Sequence, residues 1–268
     1  MIDAGCSGIV ALGSLGEGAT LQTEEKVAVL ETCVRAVGSR VAVIAAISAL
    51  STSDAVGMAK RAEAAGCSGL MILPPYVYST DWREMKAHIE AVLRATRLSS
   101  MLYNNPIAYR TDFTPEQIAE LAAGHENLYA VKESSADIRR LAAIRSLIGD
   151  RLAISVGVDD LIVEGIDAGA VGWIAGLVNA LPAESVALFD LARGGEREKA
   201  AALYRWFLPL LRLDTVPKFV QLIKLVQEEV GMGSARVRPP RLELDGSELE
   251  TALRIIRSAL AARPRIGA

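Results

Sequence analysis

The sequence predicts an α/β protein, a (β/α)8 barrel followed by a helical C-terminal region. Three features lead to this prediction. Short runs rich in Val and Ile recur along the first two thirds of the chain, amphipathic segments that mostly begin with Ser, Thr or Asp separate them, and the pattern is helical from Pro182 onward. Because no strong GxGxxG motif opens a nucleotide-binding half, a barrel is favoured over a doubly wound sheet.

The strands are predicted from short apolar runs of the kind found in parallel strands that are buried on both faces. They cover residues 8–12, 41–47, 69–73, 99–103, 128–132, 152–156 and 170–174. A closed barrel of this kind needs eight strands, and the first predicted strand begins within ten residues of Met1. We therefore expect the first βα unit to be missing from this chain, residues 1–181 to form the rest of the barrel, and residues 182–268 to form the helical region.

The helices are predicted from amphipathic segments between and after the strands. Those of the barrel cover residues 23–37, 51–65, 81–95, 114–123 and 136–148. Those of the C-terminal region cover residues 182–193, 196–211, 215–230 and 247–262. Thr114 supplies a helix cap, Pro115 suits the first turn, and the acid Glu116 suits the positive end of the helix dipole.

Composition and charge exclude several classes of protein. The chain has 268 residues, and 29 Lys and Arg against 32 Asp and Glu give a net charge of −3 without long runs of either sign, so no nucleic-acid partner is expected. The N-terminal MIDAGCSG has no basic region before an apolar run, and the apolar stretch 168–178 is too short to span a bilayer. Three widely spaced cysteines fit a reducing compartment, so we expect a cytoplasmic protein with no membrane partner.

Two strand ends carry residues suited to imine chemistry. Lys132 ends an apolar strand, where desolvation would disfavour the ammonium form and leave a nucleophilic amine. Tyr103 ends the neighbouring strand, so its hydroxyl is placed to transfer protons in the same cavity. The alternatives are a strand-end lysine that reaches into solvent and a tyrosine that only packs in the core.

A glycine-bracketed loop, GSLGE, follows the first predicted strand. Its backbone N–H groups, near Leu15 and Gly16, and the hydroxyl of Ser14 are suited to hold a small anion such as a carboxylate. The alternative is an ordinary βα turn. His88 and His125 belong to no cluster of ligands, so no metal site is expected.

The segments GSLGE, YNNP, AVKES, GVDD and GWIAGLVN together resemble the dihydrodipicolinate synthase and N-acetylneuraminate lyase family of class I aldolases. The resemblance implies a (β/α)8 barrel with a helical tail, usually a tetramer, that forms a Schiff base with a small 2-oxo acid and needs no metal or organic cofactor. It assigns imine formation to Lys132 and proton transfer to Tyr103. It also places Ser14 and Leu15 at the substrate carboxylate, and a backbone carbonyl of Ile174 opposite the lysine.

Three positions depart from the synthase of this family. Leu15 replaces a threonine whose hydroxyl the resemblance assigns to a proton relay, and Val77 replaces the second tyrosine of a Tyr-Tyr pair. Ala108 stands where the synthase has an arginine for the carboxylate of its second substrate. Arg110, two positions further on, is a candidate replacement for that charge, or else an exposed loop residue.

These departures spare Lys132 and Tyr103 but affect the relay and the second substrate. The segments LYNNPIAYR, GAVGWIAGLVNA, YRWFLPLL and GSARVRPPRL resemble the 1-pyrroline-4-hydroxy-2-carboxylate deaminases, which implies release of 2,5-dioxopentanoate and ammonia. The alternatives are 4-hydroxy-tetrahydrodipicolinate synthase, or a pyruvate-dependent aldolase that acts on a sugar acid or 4-hydroxy-2-oxoglutarate. An alternative of another class is a catalytically inactive barrel that acts as a binding protein.

Overall fold

The computed structural model describes residues 1–76 and 80–266, and within them seven parallel strands form one sheet in chain order. The strands are β1 (Gly8–Ala11), β2 (Ala42–Ile47), β3 (Gly69–Ile72), β4 (Ser99–Asn104), β5 (Leu128–Glu133), β6 (Ala153–Val156) and β7 (Gly172–Trp173). Each pairs in parallel with the next one along the chain. All seven predicted strands are present, and the absence of a first βα unit from this chain stays a prediction.

Helices lie between the strands and after the last one. They are α1 (Thr23–Val37), α2 (Thr52–Ala64), α3 (Trp82–Ala95), α4 (Pro106–Tyr109), α5 (Pro115–Gly124), α6 (Arg139–Ile148), α7 (Ile162–Asp167), α8 (Pro182–Arg193), α9 (Arg197–Leu211), α10 (Phe219–Glu229) and α11 (Gly246–Ala261). The side chains of Ser51, Asp81 and Thr114 accept backbone N–H groups at the starts of α2, α3 and α5. These polar residues are the caps that their sequence positions predict. No helix in the described part of the chain has the length and apolar character needed to cross a membrane.

Four helices differ from the prediction, since α6 and α10 begin later than predicted and α4 and α7 are not predicted. The helix predicted over residues 136–148 begins at Arg139, because Ala136 has a left-handed φ of 61° that no helix accommodates. The short helix α4 is not predicted at all. It forms because Asn105 caps it and Pro106 occupies its first position, where the missing N–H of proline costs nothing.

The strands are not equally buried. β3 is buried along its whole length, as predicted for a strand covered on both faces. The prediction is wrong for β1, in which Gly8 is exposed and only Ala11 is buried. Among the described strands β1 pairs only with β2, so it has one neighbour where a central strand has two.

The chain divides into two compact units. The sheet unit comprises residues 7–157 and 168–174, and therefore all seven strands of the described residues. The helical unit comprises residues 1–6, residues 158–167 and the chain from Ala175 onward.

The boundary predicted after residue 181 thus differs from the observed division. A contact within the helical unit gives the reason. The fully buried carboxylate of Asp159 accepts the backbone N–H groups of Gly176 at 3.1 Å and Leu177 at 2.8 Å, which joins the segment after β6 to the segment before α8.

Candidate active site

Two rows of side chains lie at the carboxyl ends of β4 to β7. The lysine row comprises, in register across the sheet, Tyr103, Lys132, Ser155 and Gly172. The carboxylate row comprises the next residue of each strand, Asn104, Glu133, Val156 and Trp173. Because successive residues of a strand point to opposite faces, the two rows lie on opposite faces of the sheet.

Lys132 and Tyr103 meet within the lysine row. The Nζ of Lys132 lies 4.3 Å from the centroid of the Tyr103 ring, a distance typical of an amine or ammonium group over an aromatic face. Lys132 is only 9% exposed and Tyr103 only 5%. The alternative that Lys132 reaches from the strand end into bulk solvent is therefore wrong.

Gly157, the first residue after β6, makes room for the Lys132 side chain. A Cβ atom on Gly157 would lie 2.5 Å from Cε and 2.9 Å from Cγ of Lys132, and 1.9 Å from Oγ of Ser134. The Gly157 N–H donates to the backbone oxygen of Glu133 at 3.0 Å, so the main chain is fixed at this point. Only glycine lets the lysine stem cross the backbone so closely.

Asn105 orients the hydroxyl of Tyr103. Its Nδ2 donates to the phenolic oxygen at 2.9 Å, while its Oδ1 accepts the N–H of Ala108 at 3.0 Å and caps α4. The cap fixes which end of the amide faces the tyrosine. A donor at the phenolic oxygen stabilises the negative charge that develops there when the tyrosine gives up its proton.

A second tyrosine cluster lies beside this pair. The hydroxyls of Ser14 and Tyr109 are 2.6 Å apart. The ring of Tyr109 lies 5.9 Å from that of Tyr103 in an edge-on arrangement and 5.3 Å from that of Tyr76, and the Tyr76 hydroxyl is 3.2 Å from Oγ of Ser48. Two further aromatic rings and two serine hydroxyls therefore adjoin the lysine row within the sheet unit.

The carboxylate row supports the site from the opposite face. Asn104 is fully buried, and its Nδ2 donates to Glu133 at 3.0 Å and to Asp112 at 3.1 Å, while its Oδ1 accepts the Phe113 N–H at 3.0 Å. Arg140 forms a bidentate pair with Asp112, with both N–O distances 2.6 Å. This network ties the ends of β4 and β5, and so Tyr103 and Lys132, to the loop that leads into α5.

The pKa values of the two carboxyl groups of this network are shifted in opposite directions. Burial raises the pKa of Glu133 above its usual value, and hydrogen bonds from Asn104 and Ser135 offset this only in part. Partial burial also acts to raise the pKa of Asp112, but the hydrogen bonds from Arg140 and Asn104 outweigh it, so that pKa lies below its ordinary value of 3.8. Asp112 therefore stabilises the fold above that value and loses its contribution as the pH falls through its folded-state pKa, whereas Glu133 costs stability as the pH rises through its own.

Replacing Asp112 with Asn is expected to lower the free energy of unfolding by about 1 kcal/mol at pH 7, a modest loss because the 38% exposed side chain is screened by water. The difference from the wild type should shrink as the pH is lowered from 5 to 2, where Asp112 becomes protonated. Urea unfolding of both proteins across this pH range measures the difference in the free energy of unfolding. Asp150→Asn, at an ion pair whose acid is 98% exposed, is the control and should change nothing measurable. A difference that grows on acidification would contradict the linkage.

The remaining predicted site residues are distributed around this centre. Ser14 meets Tyr109, a partner that the sequence did not suggest, while Leu15 is half-buried and Gly16 exposed in the same loop. The backbone N–H of Ile174 donates to Val156 at the end of β6. Their predicted contacts with substrate stay predictions.

Arg110 is exposed at the end of α4, with a left-handed φ of 61°. Its predicted contact with substrate likewise stays a prediction. Val77, at which the sequence departs from the Tyr-Tyr pair, lies outside the described residues.

Three contributors to the site were missed by the sequence reasoning. An Asn-Pro pair is a recognisable helix start, so Asn105 was detectable as a cap, although its second bond to Tyr103 was not. Tyr109 and Gly157 carried no local sign of their roles, because each acts through a residue in a distant part of the sequence.

Comparisons with known proteins agree with this geometry. The model of the dihydrodipicolinate synthetase family matches residues 1–259. The 4-hydroxy-tetrahydrodipicolinate synthase of Xanthomonas axonopodis pv. citri is 33% identical over 97% of this chain and 85% of its own length. The enzyme of the same name from Endomicrobium trichonymphae is 31% identical over 93% of this chain and 87% of its own.

Solved structures have the same fold. The 4-hydroxy-tetrahydrodipicolinate synthase of Methylacidiphilum fumariolicum SolV superposes with a TM-score of 0.91 at 26% identity, covering 97% of this chain and 88% of that one. YagE, a prophage protein of E. coli K12 from the dihydrodipicolinic acid synthase family, was solved in complex with pyruvate. It superposes with a TM-score of 0.90 at 25% identity, covering 97% and 89%. The parallel sheet with helical connections is thus a TIM-barrel-like (β/α) fold.

Proposed function

The chain belongs to the dihydrodipicolinate synthetase family, whose members are class I aldolase-type lyases that use a lysine Schiff base, and on this premise we propose that Lys132 forms the Schiff base with a small 2-oxo acid or cyclic imino acid. The observation that carries the proposal is the buried Lys132 amine held over the ring of Tyr103. A lysine amine held out of bulk water beside a phenol pairs a nucleophile with a proton donor.

The proposed chemistry begins with attack of the Lys132 nitrogen on the C2 carbon of the substrate. A carbon–nitrogen bond forms, and the carbonyl oxygen of a 2-oxo acid leaves as water after taking up two protons. The protonated imine then withdraws electrons, so the C3–H bond breaks and an enamine forms. Tyr103, whose oxygen accepts a hydrogen bond from Asn105, is the proposed proton-transferring group in these steps. The imine supplies the electron sink, so the scheme calls on no metal or organic cofactor.

The proposed substrate is 1-pyrroline-4-hydroxy-2-carboxylate. Attack by Lys132 opens the ring and frees its amine, and the enamine expels the 4-hydroxyl as water. A proton then leaves C5 and protons return to C3 and C4, which converts the C5 amine into a second imine, and hydrolysis of the two imines consumes two waters. The balance is one water in, with 2,5-dioxopentanoate and ammonia out. Support comes from position 108, where an exposed alanine stands in place of an arginine for a second substrate's carboxylate. An elimination with one substrate needs no such arginine.

A second candidate is synthesis or cleavage of a carbon–carbon bond through the same enamine. The two relatives named above are 4-hydroxy-tetrahydrodipicolinate synthases, which favours that activity, and the pyruvate bound to YagE favours a pyruvate-dependent aldolase. In either case Ser14, Leu15 and Gly16 are proposed to bind the substrate carboxylate, and the backbone carbonyl of Ile174 to face Lys132. Arg110 is proposed to supply the charge for the carboxylate of a second substrate. A homotetramer is the proposed assembly.

Borohydride trapping followed by peptide mapping tests the proposal. The protein is incubated with pyruvate or with the hydroxypyrroline carboxylate, reduced, digested and examined by mass spectrometry. We expect a covalent adduct on the peptide that contains Lys132, and ammonia release only with the hydroxypyrroline. Pyruvate consumption together with an aldehyde would select the synthase or aldolase instead, and the absence of any adduct would refute Schiff-base chemistry and leave a binding protein.

A further inference from the structure

Tyr109 joins three parts of the site that are far apart in sequence. Its hydroxyl lies 2.6 Å from that of Ser14, at the short end of the range for hydrogen bonds between hydroxyls. Its ring meets the ring of Tyr103 at 84° with centroids 5.9 Å apart, and leans on Tyr76 at 5.3 Å. An edge-on contact of this geometry is attractive and fixes the tilt of both rings.

The placement of Tyr109 is coupled to that of Tyr103. Asn105 caps α4, whose last residue is Tyr109, and the same amide donates to the Tyr103 hydroxyl. The Tyr103 ring in turn lies beneath the Lys132 amine. A rotation of Tyr109 would therefore disturb the ring that faces the amine, and the bond to Ser14 prevents that rotation.

From these contacts we propose that Tyr109 is a positioning residue for proton transfer at the Lys132 imine, and that it acts through the hydrogen bond between its hydroxyl and that of Ser14. The proposal rests on the proposed function. In the step concerned, the C3–H bond of the pyruvate imine breaks and its electron pair forms the enamine double bond. The proton passes by way of Tyr103 to water, and the reverse step returns a solvent proton to C3.

A role in packing alone makes a different prediction. Phenylalanine at position 109 keeps the ring and both aromatic contacts but removes the bond to Ser14. If Tyr109 only filled space, this change would leave proton transfer intact. If the hydrogen bond to Ser14 holds the Tyr103 ring in place, proton transfer slows in this variant while attack by Lys132 continues.

The test measures exchange of the pyruvate methyl protons in deuterium oxide by NMR, alongside borohydride trapping of the pyruvate adduct. Pyruvate alone supports both measurements, so neither depends on the identity of the natural substrate. We expect Tyr109→Phe to slow exchange at least about tenfold at an unchanged trapping yield. Ser14→Ala should slow exchange at least as much, because it also removes a hydroxyl proposed to bind the substrate carboxylate. The double variant should be no slower than Ser14→Ala, because the hydrogen bond between the two hydroxyls is already lost in that variant.

Tyr129→Phe is the matched control, since Tyr129 is 56% exposed on β5, and its exchange rate should equal that of the wild type. If Tyr109→Phe exchanged protons at the wild-type rate, this inference would be overturned and the proposed function would stand. The same holds if the losses in exchange rate of the two single variants added fully in the double variant. A wild-type protein that traps neither pyruvate nor the hydroxypyrroline carboxylate would overturn the proposed function and this inference with it. A wild-type protein that traps only the hydroxypyrroline carboxylate would overturn this inference, which concerns the pyruvate imine, and leave the proposed function standing.

Discussion

Replacing Lys132 with Met is expected to abolish the borohydride adduct and to lower turnover by about 10⁴-fold or more, to the level of the reaction without enzyme. Methionine keeps an unbranched stem of similar length over the Gly157 backbone, so the packing at the ends of β5 and β6 is largely preserved. The amine alone is removed. Turnover is measured by ammonia release, and folding by thermal unfolding of both proteins.

The control for this variant is Lys199→Met, which changes a side chain 71% exposed on α9. It should trap substrate and turn over as the wild type does. If Lys132→Met kept more than a few per cent of wild-type activity with an unchanged melting temperature, another group would have to be the nucleophile.

Replacing Gly157 with Ala is expected to lower turnover by about 10²-fold or more without touching any reacting group. The added methyl carbon would lie 2.5 Å from Cε of Lys132 and 1.9 Å from Oγ of Ser134, so the lysine must leave its place over Tyr103. Overpacking of this kind also costs about 1 to 3 kcal/mol of stability. Activity assays and urea unfolding measure the two effects separately.

Two further variants show which contact is responsible. Gly57→Ala, in the middle of α2 with nothing within 4 Å of the new methyl group, should keep full activity and gain up to about 1 kcal/mol of stability. Adding Ser134→Ala to Gly157→Ala removes the closer clash and leaves the lysine clash in place. Recovery of activity in this double variant would show that Ser134, and not Lys132, was displaced.

Much of the fold is readable from local patterns. The runs of Val and Ile mark all seven strands, because the strands of parallel sheets are rich in these residues. The caps at Ser51, Asp81 and Thr114 mark helix starts, because a capping side chain bonds a backbone group only a few residues away. The predicted start of α6 was wrong, because the left-handed backbone at Ala136 is not encoded in the periodicity of the apolar residues.

Some features of the candidate site were likewise predictable from local sequence, and others were not. Lys132 and Tyr103 could be chosen from the sequence, because parallel strands bring their carboxyl ends to one edge and the family motifs mark those ends. The space beneath the lysine stem could not, since it depends on Gly157 standing where β6 passes β5. Neither could the bond between Ser14 and Tyr109, which joins residues 95 positions apart.

The order of strands, the chemical character of the strand ends and membership in a lysine-dependent class of aldolases were thus determined by the sequence alone, because each depends on residues close together in the chain. Tertiary structure alone decided how the Lys132 amine is held over a phenol, why a neighbouring position tolerates only glycine, and which hydroxyl Ser14 meets. These are distances between residues on different elements of the fold. They are set by strand register and packing, and neither is a property of any single segment.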